Sequence, residues 1–180
     1  MKLEAITPET APLGPTWVTR VVEVLQPVSV RADRLGSIDL FAGLTWPELE
    51  FAAGLLSETL VQRGTRMTVQ GRPSPKIWLL LEGEALVSAD ARPLRVAARG
   101  DVLGAASMLY RSKSPETTIA LTPIGAFEAG PAQFGELIRR DSIRLRLTAA
   151  AGDHLQASGR RPRIVRTPGR QPTRLSSPGA

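Results

Sequence analysis

The chain has 180 residues and a formal net charge of +6, with 42% hydrophobic but only 4% aromatic residues. This length accommodates one domain of roughly 100–150 residues plus terminal extensions, with a core of mainly aliphatic side chains. The absence of cysteine excludes disulfides, thiolate zinc sites, iron–sulfur clusters and cysteine nucleophiles. The single histidine, His154, argues against histidine-dependent catalysis and histidine-rich metal sites.

No segment of the sequence has the pattern of a membrane span or a secretory signal. Apolar runs such as Ile77–Leu81 are far shorter than the ~18 residues that a spanning helix needs. The N-terminus lacks an apolar core and carries an early Glu4 and Pro8. We therefore expect a soluble, cytoplasmic protein.

The excess positive charge lies entirely at the C-terminal end. Residues 1–153 contain equal numbers of basic and acidic residues, whereas residues 154–180 carry six arginines and no acid. Prolines, glycines and serines between the arginines predict a disordered tail over 157–180. The tail suits nucleic acid or acidic lipid headgroups, or it only improves solubility, since no aromatic residue interleaves it as base stacking requires. Its candidate contact residues are Arg160, Arg161, Arg163, Arg166, Arg170 and Arg174.

Two short helices are predicted near the N-terminus. Residues 1–34 form an extension in which apolar residues from Trp17 to Leu25 have near-helical spacing, and Pro27 ends that element. This helix either caps the domain or docks on a partner. A second helical stretch is predicted over Arg31–Phe41.

A stronger helix signal begins at Thr45. The sequence Thr45-Trp46-Pro47-Glu48 combines an N-cap threonine, a proline in the first turn and a glutamate three residues after the cap, which is a capping box. Apolar residues from Leu49 to Leu56 then form one face, and the helix is predicted to end near Glu58.

From Leu60 onward the pattern changes to short strands. Apolar residues alternate or form short runs split by glycines, and 89–92 is predicted to be a hairpin tip. A short helix follows Gly104 to about Tyr110. Strands are predicted over Thr117–Leu121 and Gly125–Glu128, and helices over Pro131–Arg139 and Asp141–Leu155. This order indicates an α+β, jelly-roll-like architecture.

The sequence lacks the common catalytic motifs. It contains no phosphate-binding GxxxxGK[ST] loop, no GxGxxG after a strand, no HExxH and no GxSxG. We therefore predict that the protein is not an enzyme and holds no metal.

The segment from Gly100 to Leu109 is the most informative one. A strand that ends in glycine and leads directly into a short helix within a barrel would direct free backbone N–H groups into the barrel, as in an anion pocket. The hydroxyls of Ser107, Thr117 and Thr118 would add donors.

In this segment the sequence resembles the cyclic nucleotide-binding domain family, which includes the catabolite activator protein and the regulatory subunits of cyclic-AMP-dependent kinase. The resemblance covers about residues 35–156. It rests on Leu40–Leu44, on Phe134–Ile138 and on glycines 64, 71, 83, 100 and 104. It implies a jelly-roll β-barrel with flanking helices.

The resemblance also implies a phosphate-binding cassette within residues 100–120. In the family a glutamate accepts a hydrogen bond from the ribose 2′-hydroxyl, and an arginine pairs with the cyclic phosphate. Here Ala105 stands at the glutamate position and Glu116 at the arginine position, while Arg111 or Lys113 are possible substitute cations. The candidate cassette residues are Leu103, Gly104, Ala105, Ala106, Ser107, Glu116, Thr117 and Thr118.

These substitutions predict a non-catalytic regulatory or protein-interaction module with weak or no cyclic nucleotide binding and a protein partner. One alternative is a genuine cyclic AMP or cyclic GMP sensor with an altered cassette. The other is a nucleic-acid-associated protein that uses its arginine tail. The final helix, which often dimerises in the family, is expected to be shortened by Gly152 and Gly159, and the oligomeric state stays open.

Overall fold

The structure, a computed structural model, describes residues 26–157, and side chains up to residue 153. The helix predicted over 17–25, the side chain of His154 and the six tail arginines lie outside this description. The helices are α1 (Val28–Gly36), a 3₁₀ helix (Asp39–Phe41), α2 (Trp46–Leu55), α3 (Ala105–Leu109), α4 (Pro131–Leu137) and α5 (Asp141–Ala157). The strands are β1 (Ser57–Val61), β2 (Arg66–Thr68), β3 (Ile77–Glu82), β4 (Ala85–Ala89), β5 (Arg92–Ala97), β6 (Val102–Leu103), β7 (Thr117–Ala120) and β8 (Ile124–Ala129).

The eight strands form two antiparallel sheets, which confirms the predicted α+β class. Sheet A has the order β1-β8-β3-β6, and sheet B has the order β2-β7-β4-β5. One hydrophobic core cluster consists of buried strand residues from both sheets, among them Leu80, Val87 and Ile124. A larger cluster joins sheet A to the helices, and α5 contributes Ile143 and Leu147 to it. No helix within residues 26–157 is long and apolar enough to cross a bilayer.

The predicted hairpin tip is confirmed at the β4–β5 turn. Asp90 and Ala91 both have positive φ, at 50° and 59°. Two consecutive residues with positive φ are typical of the tight turn whose twist matches that of paired antiparallel strands.

Several element ends differ from the prediction because pairing and packing override local propensity. Helix α2 ends at Leu55 rather than near Glu58, since β1 begins at Ser57 and pairs with β8. Pro27 precedes α1, where its carbonyl accepts the Val30 and Arg31 N–H groups, while the helix that it was predicted to end lies outside the described residues. The stretch predicted over Arg31–Phe41 is therefore split between α1 and the 3₁₀ helix.

Helix α5 confirms the predicted helix Asp141–Leu155 and runs two residues further, to Ala157, so Gly152 does not interrupt it. Gly159 lies outside the described residues. A glycine inside a helix costs only about 1 kcal/mol. Burial of Ile143, Leu147 and Ala151 on the domain offsets that cost.

The capping box predicted at Thr45 is confirmed and also joins two helices. Glu48 accepts hydrogen bonds from the Thr45 N–H at 2.8 Å and from the Thr45 hydroxyl at 2.7 Å. The Ser142 hydroxyl at the start of α5 donates to the other carboxylate oxygen at 2.6 Å. These bonds, the one from Ser142 first, lower the pKa of Glu48 from 4.5 to about 2.

We predict that Glu48→Ala lowers the melting temperature at neutral pH by an amount that shrinks as the pH falls. The folded pKa of Glu48 lies below the unfolded value, so its contribution is complete above pH 4.5 and disappears between pH 4.5 and about 2. Thermal unfolding of both proteins from pH 2 to 7 measures this. Glu50→Ala, an exposed site on the same helix, is the control, and a Glu48→Ala deficit that stays constant across this range would contradict the assignment.

Candidate functional site

A small recess lies between the start of α3 and the loop that leads to β7. Its volume is about 20 Å³. Seven of the eight candidate cassette residues line it: Leu103, Gly104, Ala105, Ala106, Ser107, Glu116 and Thr118. The structure therefore brings together two segments, 103–107 and 116–118, that are separated by eight residues in the sequence.

The buried polar residues of the described chain gather at this recess. They are Thr68, Ser74, Ser107, Ser114, Glu116 and Thr118, and all except Ser74 line it. Ser74 adjoins the recess through its hydrogen bond to Ser107. Because buried polar groups are costly without partners, this concentration marks the recess as a built polar site.

The hydroxyl of Ser107 joins three segments of the chain. Its oxygen accepts the Ser74 N–H at 2.9 Å, and its proton is donated to the Ser112 carbonyl at 2.5 Å. A serine hydroxyl has a single proton. Ser107 therefore has no proton left for an anion in the recess, contrary to the role predicted from the sequence.

The other hydroxyls are likewise engaged within the protein. Ser114 donates to the Glu116 carbonyl at 2.8 Å. The Thr68 hydroxyl lies 3.1 Å from the same carbonyl and 3.0 Å from the Thr118 hydroxyl. The recess thus exposes hydroxyl oxygens whose protons are largely directed to protein acceptors.

Sequence reasoning missed two of the polar residues that line the recess and misplaced a third residue. Thr68 comes from β2, where no motif indicated a site, and Ser114 comes from the loop before β7, inside the predicted cassette but not among its candidate residues. Thr117 does not line the recess, because side chains alternate along β7 and its hydroxyl accepts the Gln70 N–H at 3.0 Å.

Among the described residues, the recess is lined by one acidic residue and by no basic one. Glu116 is 7% exposed and lines the recess. No lysine or arginine is among its lining residues in the part of the chain that the structure describes. Arg111 and Lys113, the possible substitute cations, are exposed and do not line it. Ala105, only 2% exposed, contributes a methyl group.

Gly104 allows the chain to turn tightly from β6 into α3. Its φ is +82°, and a Cβ atom there would lie 2.6 Å from the Lys76 carbonyl oxygen and 2.7 Å from the Ser74 hydroxyl oxygen. Helix α3 has only five residues, so few peptide dipoles are aligned, and the field expected at its N-terminus is correspondingly small.

Comparison with solved structures identifies the fold. The described architecture matches the second cyclic-nucleotide domain of a PKAR bound to Sp-2Cl-cAMPS, with a TM-score of 0.63 and 17% identity, over 78% of this chain and 100% of that one. It matches the Thermus thermophilus catabolite activator protein with a TM-score of 0.58 and 21% identity, over 67% of this chain and 59% of that one. A cAMP-binding acyltransferase from Mycobacterium smegmatis matches with a TM-score of 0.56 and 24% identity, over 72% of this chain and 42% of that one.

The chain has the cyclic nucleotide-binding fold. This confirms the resemblance predicted from the sequence and the jelly-roll architecture with flanking helices. The chain spans about half the length of the activator and the acyltransferase. No protein-family model and no curated protein matches the sequence.

We predict that Gly104→Ala destabilises this cyclic nucleotide-binding fold by about 2–5 kcal/mol, through backbone strain of about 1–2 kcal/mol plus steric overlap. Gly64→Ala is the matched control, because Gly64 has φ of +84° but open space around it. The Gly64→Ala control is expected to lose only the stability that corresponds to the backbone strain, about 1–2 kcal/mol. Denaturant unfolding measures both, and equal losses would contradict the close approach at Gly104.

Proposed function

We propose that the chain is a non-catalytic regulatory or protein-interaction module that uses the cyclic nucleotide-binding fold with little or no affinity for cyclic nucleotides. The observation that carries the proposal is the lining of the recess, which among residues 26–157 includes Glu116 and no basic residue. A cyclic phosphate is an anion, so this site repels the group that a receptor must attract.

The energetic penalty is large. Two like charges about 5 Å apart repel by about 3 kcal/mol at an effective dielectric of about 20. A missing arginine–phosphate pair forfeits about 1.5–3 kcal/mol, and a missing ribose contact at Ala105 about 1 kcal/mol more. The total exceeds about 5 kcal/mol, which is a factor of at least ~10³ in affinity.

The hydrogen bonds of the hydroxyls and the small size of the recess also disfavour nucleotide binding. The proton of Ser107 is donated to the Ser112 carbonyl and that of Ser114 to the Glu116 carbonyl. The recess volume of about 20 Å³ is also small, whereas small-molecule sites measure roughly 300–1,000 Å³. To bind a nucleotide, the hydroxyls of Ser107 and Ser114 would have to exchange their present hydrogen-bond acceptors for the ligand, and the recess would have to widen.

The environment of Ser107 supports a non-catalytic role. A serine nucleophile needs a general base within hydrogen-bond reach of its hydroxyl. Both bonding partners of this hydroxyl are backbone groups, those of Ser74 and Ser112.

A partly exposed apolar row on sheet B supports a role in protein interaction. The register places Val96 opposite Leu86, and Leu86 opposite Ile119, across three neighbouring strands. Val96 is 50% exposed, and Leu94 on the same strand is 40% exposed. Grouped apolar side chains on a surface are typical of protein contact sites.

We predict that millimolar cyclic AMP or cyclic GMP leaves the melting temperature of the full chain unchanged. A ligand at a hundredfold excess over its dissociation constant would stabilise the fold by about 2.7 kcal/mol, which is a shift of several degrees. Thermal unfolding with and without nucleotide measures this. AMP is the control for general phosphate effects, and a shift with the cyclic nucleotides alone would favour the sensor alternative.

We predict that Ala105→Glu combined with Glu116→Arg creates or strengthens cyclic nucleotide binding. The pair restores the ribose acceptor and the phosphate cation at the positions implied by the resemblance. Titration calorimetry measures the gain, and Glu116→Gln, which removes repulsion without supplying a cation, is expected to gain much less. A well-folded double variant with no gain would count against the cassette positions.

A further inference from the structure

Helix α1 meets the start of β1 along one line of contacts, here called the α1–β1 seam, which consists of Arg31, Arg34, Leu56 and Glu58. Arg34 forms an ion pair with Glu58 at 2.8 Å, and Arg31 donates to the Leu56 carbonyl at 2.9 Å. The Pro27 carbonyl accepts the Arg31 N–H at 3.2 Å. The chain that precedes Pro27 is therefore attached about one helical turn from the seam.

Three buried polar atoms at the seam and next to it lack a hydrogen bond within residues 26–157. They are Gln26 Oε1, Arg31 Nε and Glu58 Oε1. The Glu58 side chain is only 9% exposed. Buried polar atoms without a partner are rare in native proteins, because each loses its bonds to water and gains none. This pattern indicates that a further group covers the seam, one that supplies donors to the two oxygens and an acceptor to Arg31.

The apolar face of α1 is also incompletely covered at its N-terminal end. Val28, Ala32 and Leu35 follow the i, i+4, i+7 spacing of one helix face. Ala32 and Leu35 are completely buried, whereas Val28 is 39% exposed. Val28 lies three residues before Arg31 and is therefore its neighbour on the helix surface. The uncovered end of this face and the unpartnered atoms thus lie side by side.

The segment that immediately precedes Gln26 has the chemistry that this surface requires. A helical projection separates its polar residues, Thr19, Arg20 and Glu23, from its apolar residues, Trp17, Val18, Val21, Val22, Val24 and Leu25. A helix that ends at Leu25 leaves its last four carbonyls free as acceptors. The Trp17 indole and the Arg20 guanidinium carry N–H donors. The segment therefore offers an apolar face together with both kinds of hydrogen-bonding group.

The link between this segment and α1 favours docking on the seam. Pro27 has φ of −54° and ψ of 148°, which is extended, and the residue before a proline is disfavoured in the helical region. Residues 17–25 therefore cannot continue α1 as one straight helix. A two-residue connection is typical of helices that pack as neighbours, and it costs little loop-closure entropy. We propose that residues 17–25 fold back, cover Val28 and dock on the α1–β1 seam.

This docking selects one of the two roles that the sequence allows for the segment, capping the domain rather than binding a partner. It goes beyond the proposed function and is independent of the recess, since none of the seam residues lines it. The seam belongs to sheet A through β1, so the apolar row on sheet B stays open to a partner.

Val21→Asp in the full chain tests the docking, because Val21 lies near the centre of the apolar face of the segment. The variant is expected to lower the melting temperature by several degrees. It is also expected to shift the amide NMR signals of residues 57–60, which are more than thirty residues away in the sequence. Thr19→Asp introduces the same charge on the polar face of the same segment. It is the matched control and is expected to change neither quantity.

A second pair of variants locates the contact on α1. Val28→Ala removes a side chain that the docked segment covers, so its loss of melting temperature and that of Val21→Asp are expected to sum to more than the loss of the double variant. Val30→Ala is the matched control, because Val30 is 43% exposed and lies on the opposite face of α1. Its effect is expected to be additive with that of Val21→Asp. If Val21→Asp does not fold, Val21→Ala takes its place in both experiments.

An unchanged melting temperature and unchanged signals of residues 57–60 in Val21→Asp would overturn the inference, and so would an equal effect of Thr19→Asp. Additive losses for Val21→Asp and Val28→Ala would overturn the contact with the seam. Water molecules that satisfy the three buried atoms in place of the segment predict the first of these outcomes.

Discussion

The hydroxyl of Ser107 is the point at which three segments of the recess are held together. It accepts a hydrogen bond from the Ser74 N–H and donates one to the Ser112 carbonyl. These bonds fix α3 against the turn before β3 and fix the loop before β7 against α3. The geometry of the recess, the direction of its hydroxyl protons and its small volume all depend on this arrangement.

The same arrangement sets the electrostatic character of the site. Ser114 donates to the Glu116 carbonyl, and the Thr68 hydroxyl lies within hydrogen-bond distance of that carbonyl and of the Thr118 hydroxyl. These bonds direct hydroxyl protons to acceptors within the protein rather than towards a bound anion. The fold is that of cyclic nucleotide-binding domains, and our proposal is that this recess does not attract the anionic ligand. We therefore regard the domain as a scaffold for contacts rather than a receptor for a second messenger.

The sequence predicted what depends on local chemistry. Thr45 and Glu48 identified the start of α2, and Gly104 identified the turn into α3, because capping and positive φ restrict the residue type at a position. The end of α2 was placed too late because the pairing of β1 with β8 is not a local property. The predicted helix Asp141–Leu155 already passed through Gly152, and burial of Ile143 and Leu147 explains why the glycine does not interrupt it. The site itself could be predicted only in part from the sequence. Ala105 and Glu116 were found by resemblance, while Thr68, Ser114 and the direction of the Ser107 proton depend on contacts between distant segments.

The central claim is that the recess lining repels the phosphate of a cyclic nucleotide. Titration calorimetry of the full chain with cyclic AMP and cyclic GMP, at moderate salt and neutral pH, tests it most directly. The account predicts no saturable heat up to millimolar nucleotide. A saturable heat of one nucleotide per chain, with a dissociation constant in the micromolar range, would contradict it.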